Sequence, residues 1–122
     1  MTKKIEKLEI EGVIYVPQDS ALNQAQSVEG MPFVLIRGYG SGVSYGYLKS
    51  RNGCEVTLVN SRRIWNWNKA TETNQIAVCG IEAANSKVTM IVPEKLITDA
   101  IEIINITEQG AKNLTNQPVW QK

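Results

Sequence analysis

The sequence predicts an α+β fold: a mainly antiparallel sheet of about five or six strands with two or three short helices. Three observations predict it. Short β-rich runs recur along the chain, separated by Gly, Pro, Asn and Asp. Two alternating runs flank "RNG" (51–53), whose Asn-Gly pair is a strong hairpin signal. Helix caps and stops bound only short stretches.

In chain order, "LEIEGVIYV" (8–16) places two β-rich runs around Glu11-Gly12 and predicts a small hairpin. "PQDSALNQAQSVEG" (17–30) is polar and reads as a loop, with one helical turn capped by Asp19 or Ser20. "MPFVLIRGY" (31–39) is a strand by its β-branched and aromatic content. A glycine-rich turn follows. Val43, Tyr45 and Tyr47 then alternate with Ser44, Gly46 and Leu48, which is strand periodicity. The returning strand is "CEVTLVN" (54–60), and "RRIWNW" continues it or begins the next. Thr71 or Thr73 can cap a helix through "NQIAVC", with Gly80 as its stop. "KVTMIV" (87–92) is a strand broken by Pro93-Glu94, and "LITDAIEIINI" (96–106) is another. Thr107 caps a last helix, "EQGAKNL". The chain is thus one domain, 1–122, with an N-terminal hairpin and loop over 1–30. Its tail, 116–122, is loose except for Trp120.

Composition narrows the function. Apolar residues make up 43% of the 122 and charged residues 20%, as in a globular protein. A net charge of +1 carries no surplus for neutralising many phosphates, which argues against a partner of polymeric nucleic acid. It also does little to oppose self-association. Cys54 and Cys79 lack CxxC spacing, and the chain has no histidine, so a zinc site is not expected. They read as reduced, mostly buried thiols. "MTKKIEKLEIEG" leads into no apolar h-region, and no run approaches the roughly 18 apolar residues of a membrane span. A soluble, intracellular protein without a membrane partner is expected.

Catalytic motifs are thin. "GVSYG" (42–46) matches the nucleophile elbow, but Ser44 falls mid-strand and no histidine can serve as its base. "RGYGSG" lacks the third glycine of a dinucleotide fingerprint. Glycines at such a place more often make a bulge or tight turn. Arg37, just before the turn and beside exposed backbone N–H groups, could still hold an anion. No acid pair is placed for general acid/base work, so no enzyme, metal or cofactor is expected.

The remaining feature is "NSRRIWNWN" (60–68). In strand geometry Arg63, Trp65 and Trp67 share one face, while Arg62, Ile64 and Asn66 share the other. The stretch suits core or oligomer interface, contact with a small ligand, or a nucleic-acid stacking platform.

The order "FVLIRGYGSGVSYGYLKSRNGCEVTLVNSRRIWNWNKA", then "QIAVCGI" and "LITDAIEII…T", resembles the first class of phage Thoeris anti-defence proteins, over about Phe33 to Thr107. Such proteins are sponges. They sequester the cyclic ADP-ribose isomers, glycosidically cyclised, that a TIR-domain enzyme makes from NAD, without degrading them, and so block the Thoeris effector. The resemblance implies an α+β fold, work in the host bacterial cytoplasm, and a homo-oligomer (dimer or hexamer) with pockets between protomers. It also implies, for some members, cyclic trinucleotides of CBASS-type immunity at separate sites. It assigns Arg62 or Arg63 to phosphate or to stacking on adenine, and Trp65 to a pocket wall or interface anchor. Arg37 with Ser41, Gly42 and Val43 is a second anion contact, and Thr98 and Asp99 serve the ribose hydroxyls. The competing expectations are a single-stranded nucleic-acid binder and an enzyme that cleaves the messenger.

Overall fold

A computed structural model describes residues 8–10, 13–15, 23–66 and 72–120. The N-terminal hairpin forms as expected, β1 (Leu8–Ile10) pairing antiparallel with β2 (Val13–Tyr15). The helical turn expected at Asp19 or Ser20 lies outside the described residues, as does Trp67.

The main body is a six-stranded antiparallel sheet. It is built from β3 (Phe33–Gly38), β4 (Gly42–Asn52), β5 (Glu55–Asn66), β6 (Lys87–Val88), β7 (Val92–Ile97) and β8 (Ala100–Asn105). The order is β6-β5-β4-β3-β8, with β7 also paired to β5. β6 meets Ile64 and Asn66 while β7 meets residues from Val56 to Ser61, so the two follow one another along the same edge of β5. Two helices complete the α+β architecture: α1 (Thr73–Cys79) and α2 (Glu108–Thr115).

Local chemistry accounts for most of these elements. The β4–β5 hairpin turns at Gly53-Cys54, with Asn52 opposite Glu55 and Gly53 at φ +63°. The turn thus sits one residue later than the Asn-Gly signal suggests. α1 ends at Gly80 as expected, but its N-cap is Glu72, whose carboxylate accepts from Asn74 N–H, rather than Thr71 or Thr73. Thr107 caps α2 through its bond from Gly110 N–H, and its hydroxyl also donates to the Val78 carbonyl at 2.7 Å. One threonine therefore satisfies orphan groups at the start of α2 and the end of α1.

Two strand expectations are corrected. "KVTMIV" is interrupted at Thr89–Ile91, and Pro93 falls inside β7. An edge strand tolerates proline because one row of its N–H groups has no ladder partner to lose. "LITDAIEIINI" is two strands, turned at Thr98-Asp99 and placed on opposite edges of the sheet. That connection bends the whole sheet. Four inter-strand spacings separate β7 from β8, about 19 Å in a flat sheet. The three Cα steps from Ile97 to Ala100 reach at most roughly 11 Å. The sheet must curl, and Ala100 N–H closes onto the Cys54 carbonyl at 3.0 Å.

Each face of the curl has its own apolar cluster. Phe33, Leu35, Val43, Tyr45 and Ile64 pack with Ile76, Ala77 and Leu114 of the helices. On the other face Val34, Ile36, Val56, Leu58, Ile97 and Ala100 gather without helical residues. Cys54 and Cys79 are free and exposed, correcting the expectation of buried thiols: one lies in the hairpin turn, the other at the end of α1. None of the described helices is long and apolar enough to cross a membrane.

Helix α2 rests on α1 through Gly110, where an added Cβ would lie 2.3 Å from the Ala77 carbonyl oxygen. Helix propensity alone favours Gly110→Ala by about 1 kcal/mol. Displacing a packed backbone costs about 1–3 kcal/mol and should win. Urea unfolding should therefore show Gly110→Ala destabilised; a stabilised variant would mean that the helices are not this close.

Candidate ligand-binding surface

The two adjacent arginines of β5 part company. Alternation sends Arg62 under the helices with Ile64, and it is only 5% exposed. Its Nε donates to the Thr89 carbonyl and its Nη1 to the Gln117 carbonyl, both at 2.7 Å. Beside it Tyr45, directly opposite on β4, donates its hydroxyl to the Leu114 carbonyl at 2.7 Å. Burial pushes the Tyr45 pKa up to about 12, outweighing the Arg62 charge, which pulls it down. A cation suits the C-terminal end of α2, where the helix dipole concentrates negative potential. Arg62 is thus committed to the scaffold, a correction to its expected role at phosphate or adenine.

The glycine turn is also spoken for. The Asp99 carboxylate accepts from Gly40 N–H at 2.6 Å, Ser41 N–H at 3.0 Å and the Ser41 hydroxyl at 2.6 Å. These bonds, that from the Ser41 hydroxyl first, hold its pKa below the usual carboxylate value. An internal anion therefore occupies the nest expected to take an external one. Val43 is buried in the helix-side core, Gly42 turns the chain at φ +82°, and Thr98 is exposed beside Asp99. Arg37 pairs with Glu102 at 3.5 Å on the surface, and Glu102 in turn accepts from Thr73. Of the expected site, Ser41 and Asp99 bond to each other, while Arg37 pairs with a different carboxylate, Glu102.

Arg63 and Trp65 remain. Arg63 lies opposite Ser44 on the face turned away from the helices, and Thr89 bonds both its backbone N–H and its carbonyl. Lys95 Nζ reaches Ser44 Oγ at 2.9 Å from β7. Burial first, and the Arg63 charge second, lower the Lys95 pKa. A lysine beside a serine evokes a Ser–Lys dyad, but Ser44 is 1% exposed, which closes it to an attacked carbonyl.

Two residues along, Trp65 meets Trp120 edge to face, with ring centroids 5.0 Å apart. Lys87 Nζ lies 4.9 Å from one ring and 4.7 Å from the other. Both rings keep solvent-facing surface, at 48% and 38% exposure. Trp120 is held by its N–H bond to the Val88 carbonyl, and Gln117 is buried with its amide bonded to Asn113 and Ile81. The tail is therefore pinned at two points, not at Trp120 alone.

Sequence reading missed Lys87 and Lys95. Their signal was weak: one lysine in each of two short edge strands, where lysine commonly serves only to block edge pairing. Only strand pairing brings Lys87 opposite Asn66 and Lys95 opposite Leu58.

Two measurements test these assignments. Arg62→Ala should lose about 3 kcal/mol or more of unfolding free energy, since charge-assisted bonds contribute about 1.5–3 kcal/mol each. Unchanged stability would return Arg62 to the list of ligand contacts. Asp99 has a lowered folded pKa, so its stabilisation is complete above the unfolded carboxylate value and lost as pH falls through the folded one. Asp99→Asn should therefore lower the urea midpoint at pH 7, with the gap to wild type closing below about pH 4. A gap independent of pH would contradict the carboxylate's role.

Comparison with known proteins adds a family and no function. No curated protein and no solved structure matches the chain. A family model described as a domain of unknown function, DUF6948, matches residues 31–114, which takes in every strand of the main sheet and nearly all of α2. The chain belongs to the DUF6948 family.

Proposed function

We propose that this protein binds and withholds a small anionic nucleotide without transforming it, the ligand class being cyclic ADP-ribose isomers. On this reading it acts as a viral anti-defence sponge in the host bacterial cytoplasm, starving a Thoeris effector of its signal. The observation that carries the reading is the exposed Trp65–Trp120 pair with Lys87 Nζ over both rings, Trp65 lying on the strand that also presents Arg63. Aromatic faces stack adenine and the cations suit a pyrophosphate.

Magnitudes set what else the reading requires. Stacking supplies roughly 1–3 kcal/mol per base. A nanomolar sponge needs about −12 kcal/mol. An open patch on one chain falls well short, so the reading requires a second copy to close over the ligand. That agrees with the homo-oligomer, dimer or hexamer, that the resemblance to Thoeris anti-defence proteins implies. Cyclic trinucleotides at a separate site belong to the same proposal.

Titration with cyclic ADP-ribose isomers, followed by tryptophan emission and calorimetry, tests it. Saturable binding is expected, weakened about tenfold or more by Trp65→Ala, or about 1.4 kcal/mol. Heat-denaturing the complex should release a messenger that still activates the effector. Permanent loss of the signal would make the protein an enzyme. Salt-sensitive binding of single-stranded oligonucleotides, without affinity for the cyclic isomers, would favour a stacking platform for nucleic acid.

A further inference from the structure

The cationic cluster beneath Arg63 is a separate feature from the aromatic pair. Arg63 and Ser44 are direct cross-strand partners, so their Cβ atoms lie about 4.5–5.5 Å apart on one face. Lys95 brings its Nζ to 2.9 Å from Ser44 Oγ from the far side of β5. That is two cations and a hydroxyl on the face turned away from the helices. Ser44 accepts from Lys95, which holds the ammonium in place.

Among the described residues, no carboxylate pairs with this cluster. The two ion pairs among the described residues are Arg37–Glu102 and Lys49–Glu94, and neither reaches Arg63 or Lys95. Arg63 Nε is buried without a hydrogen-bond partner. A desolvated, unpaired donor on a charged group is costly, and the like charge of Lys95 close by adds to that cost. The depressed Lys95 pKa reports the same strain. Folding tolerates such an arrangement most readily where something else supplies the negative charge.

We propose that Arg63 and Lys95, the latter positioned by Ser44, form a binding site for a phosphate-type oxyanion. The guanidinium offers a planar fork for two oxygens and the ammonium a point charge. Arg63 and Lys95 are each only partly buried, so the anion reaches them from solvent while Ser44 forms the floor. The site stands without the nucleotide reading, because it needs only the oxyanion. That group can come from a free phosphate or from the pyrophosphate of a nucleotide.

The test uses the full chain, titrated with inorganic pyrophosphate at constant ionic strength. The readouts are melting temperature and the Lys95 side-chain amine signal in NMR. Saturable stabilisation is expected, with the Lys95 amine signal shifting in step. Lys95→Met and Arg63→Gln should each weaken binding by about tenfold or more. Lys49→Met, which removes a lysine paired elsewhere, should bind as wild type. Absence of saturable binding, or binding that leaves the Lys95 signal unmoved, overturns the site. Should Arg63→Gln not fold, Lys95→Met and the wild-type Lys95 signal decide by themselves. A parallel titration with ADP-ribose distinguishes the sources. Tighter binding than pyrophosphate, with a change in tryptophan emission, identifies a nucleotide; equal or weaker binding identifies a free oxyanion. Both outcomes uphold the site, whereas failure of cyclic ADP-ribose isomers to bind bears only on the sponge.

Discussion

The fold depends on a buried cation held without a carboxylate among its described partners. Arg62 joins β5 to the gap between β6 and β7 through the Thr89 carbonyl, and to the end of α2 through the Gln117 carbonyl. Tyr45 seals the same corner through Leu114. A buried charge whose solvation consists of backbone carbonyls cannot lose one of them cheaply. The helix end, the strand break and the tail are therefore set by a single guanidinium. The expense of burying it is tolerable because two backbone carbonyls, at Thr89 and Gln117, solvate it close to the negative end of the α2 dipole.

That commitment decides the character of the neighbouring residue. Once Arg62 faces the helices, strand alternation turns Arg63 to the opposite face, beside Ser44 and Lys95. The same divergence separates structure from binding over a distance of one residue. The helix side of the sheet is closed by Ile76, Ala77 and Leu114; the other side carries a smaller apolar cluster with the cations Arg63 and Lys95. Trp65 and Trp120 extend this second side toward the β6 edge, where Lys87 Nζ lies over both rings.

The turn at Asp99 shows how one acid can serve two purposes. Its carboxylate fills the ring of donors offered by Gly40 and Ser41, and its position between β7 and β8 forces the sheet to curl. An added Cβ at Gly38 would lie 2.7 Å from the same carboxylate, so the glycine keeps the approach open. Glycine-rich turns invite a phosphate reading because their N–H groups converge. Whether a ligand or a side chain answers them depends on a residue some 58 positions away.

The sequence alone determined the fold class, the N-terminal hairpin, the β4–β5 hairpin and the cap of α2, all of which follow from alternation, turn chemistry and capping within a few residues. It also marked 60–68 as chemically unusual. Tertiary structure decided what local pattern cannot carry: that Pro93 lies in an edge strand, that residues 96–106 divide between opposite edges, and that the glycine turn has an internal carboxylate. It decided too which arginine turns inward. Alternation alone separates Arg62 from Arg63 but does not name the buried face; that choice came from α2, Tyr45 and Gln117, whose carbonyls and ring surround one side only. Lys87 and Lys95 gained their neighbours through strand pairing at long range, a contact no short window of residues contains.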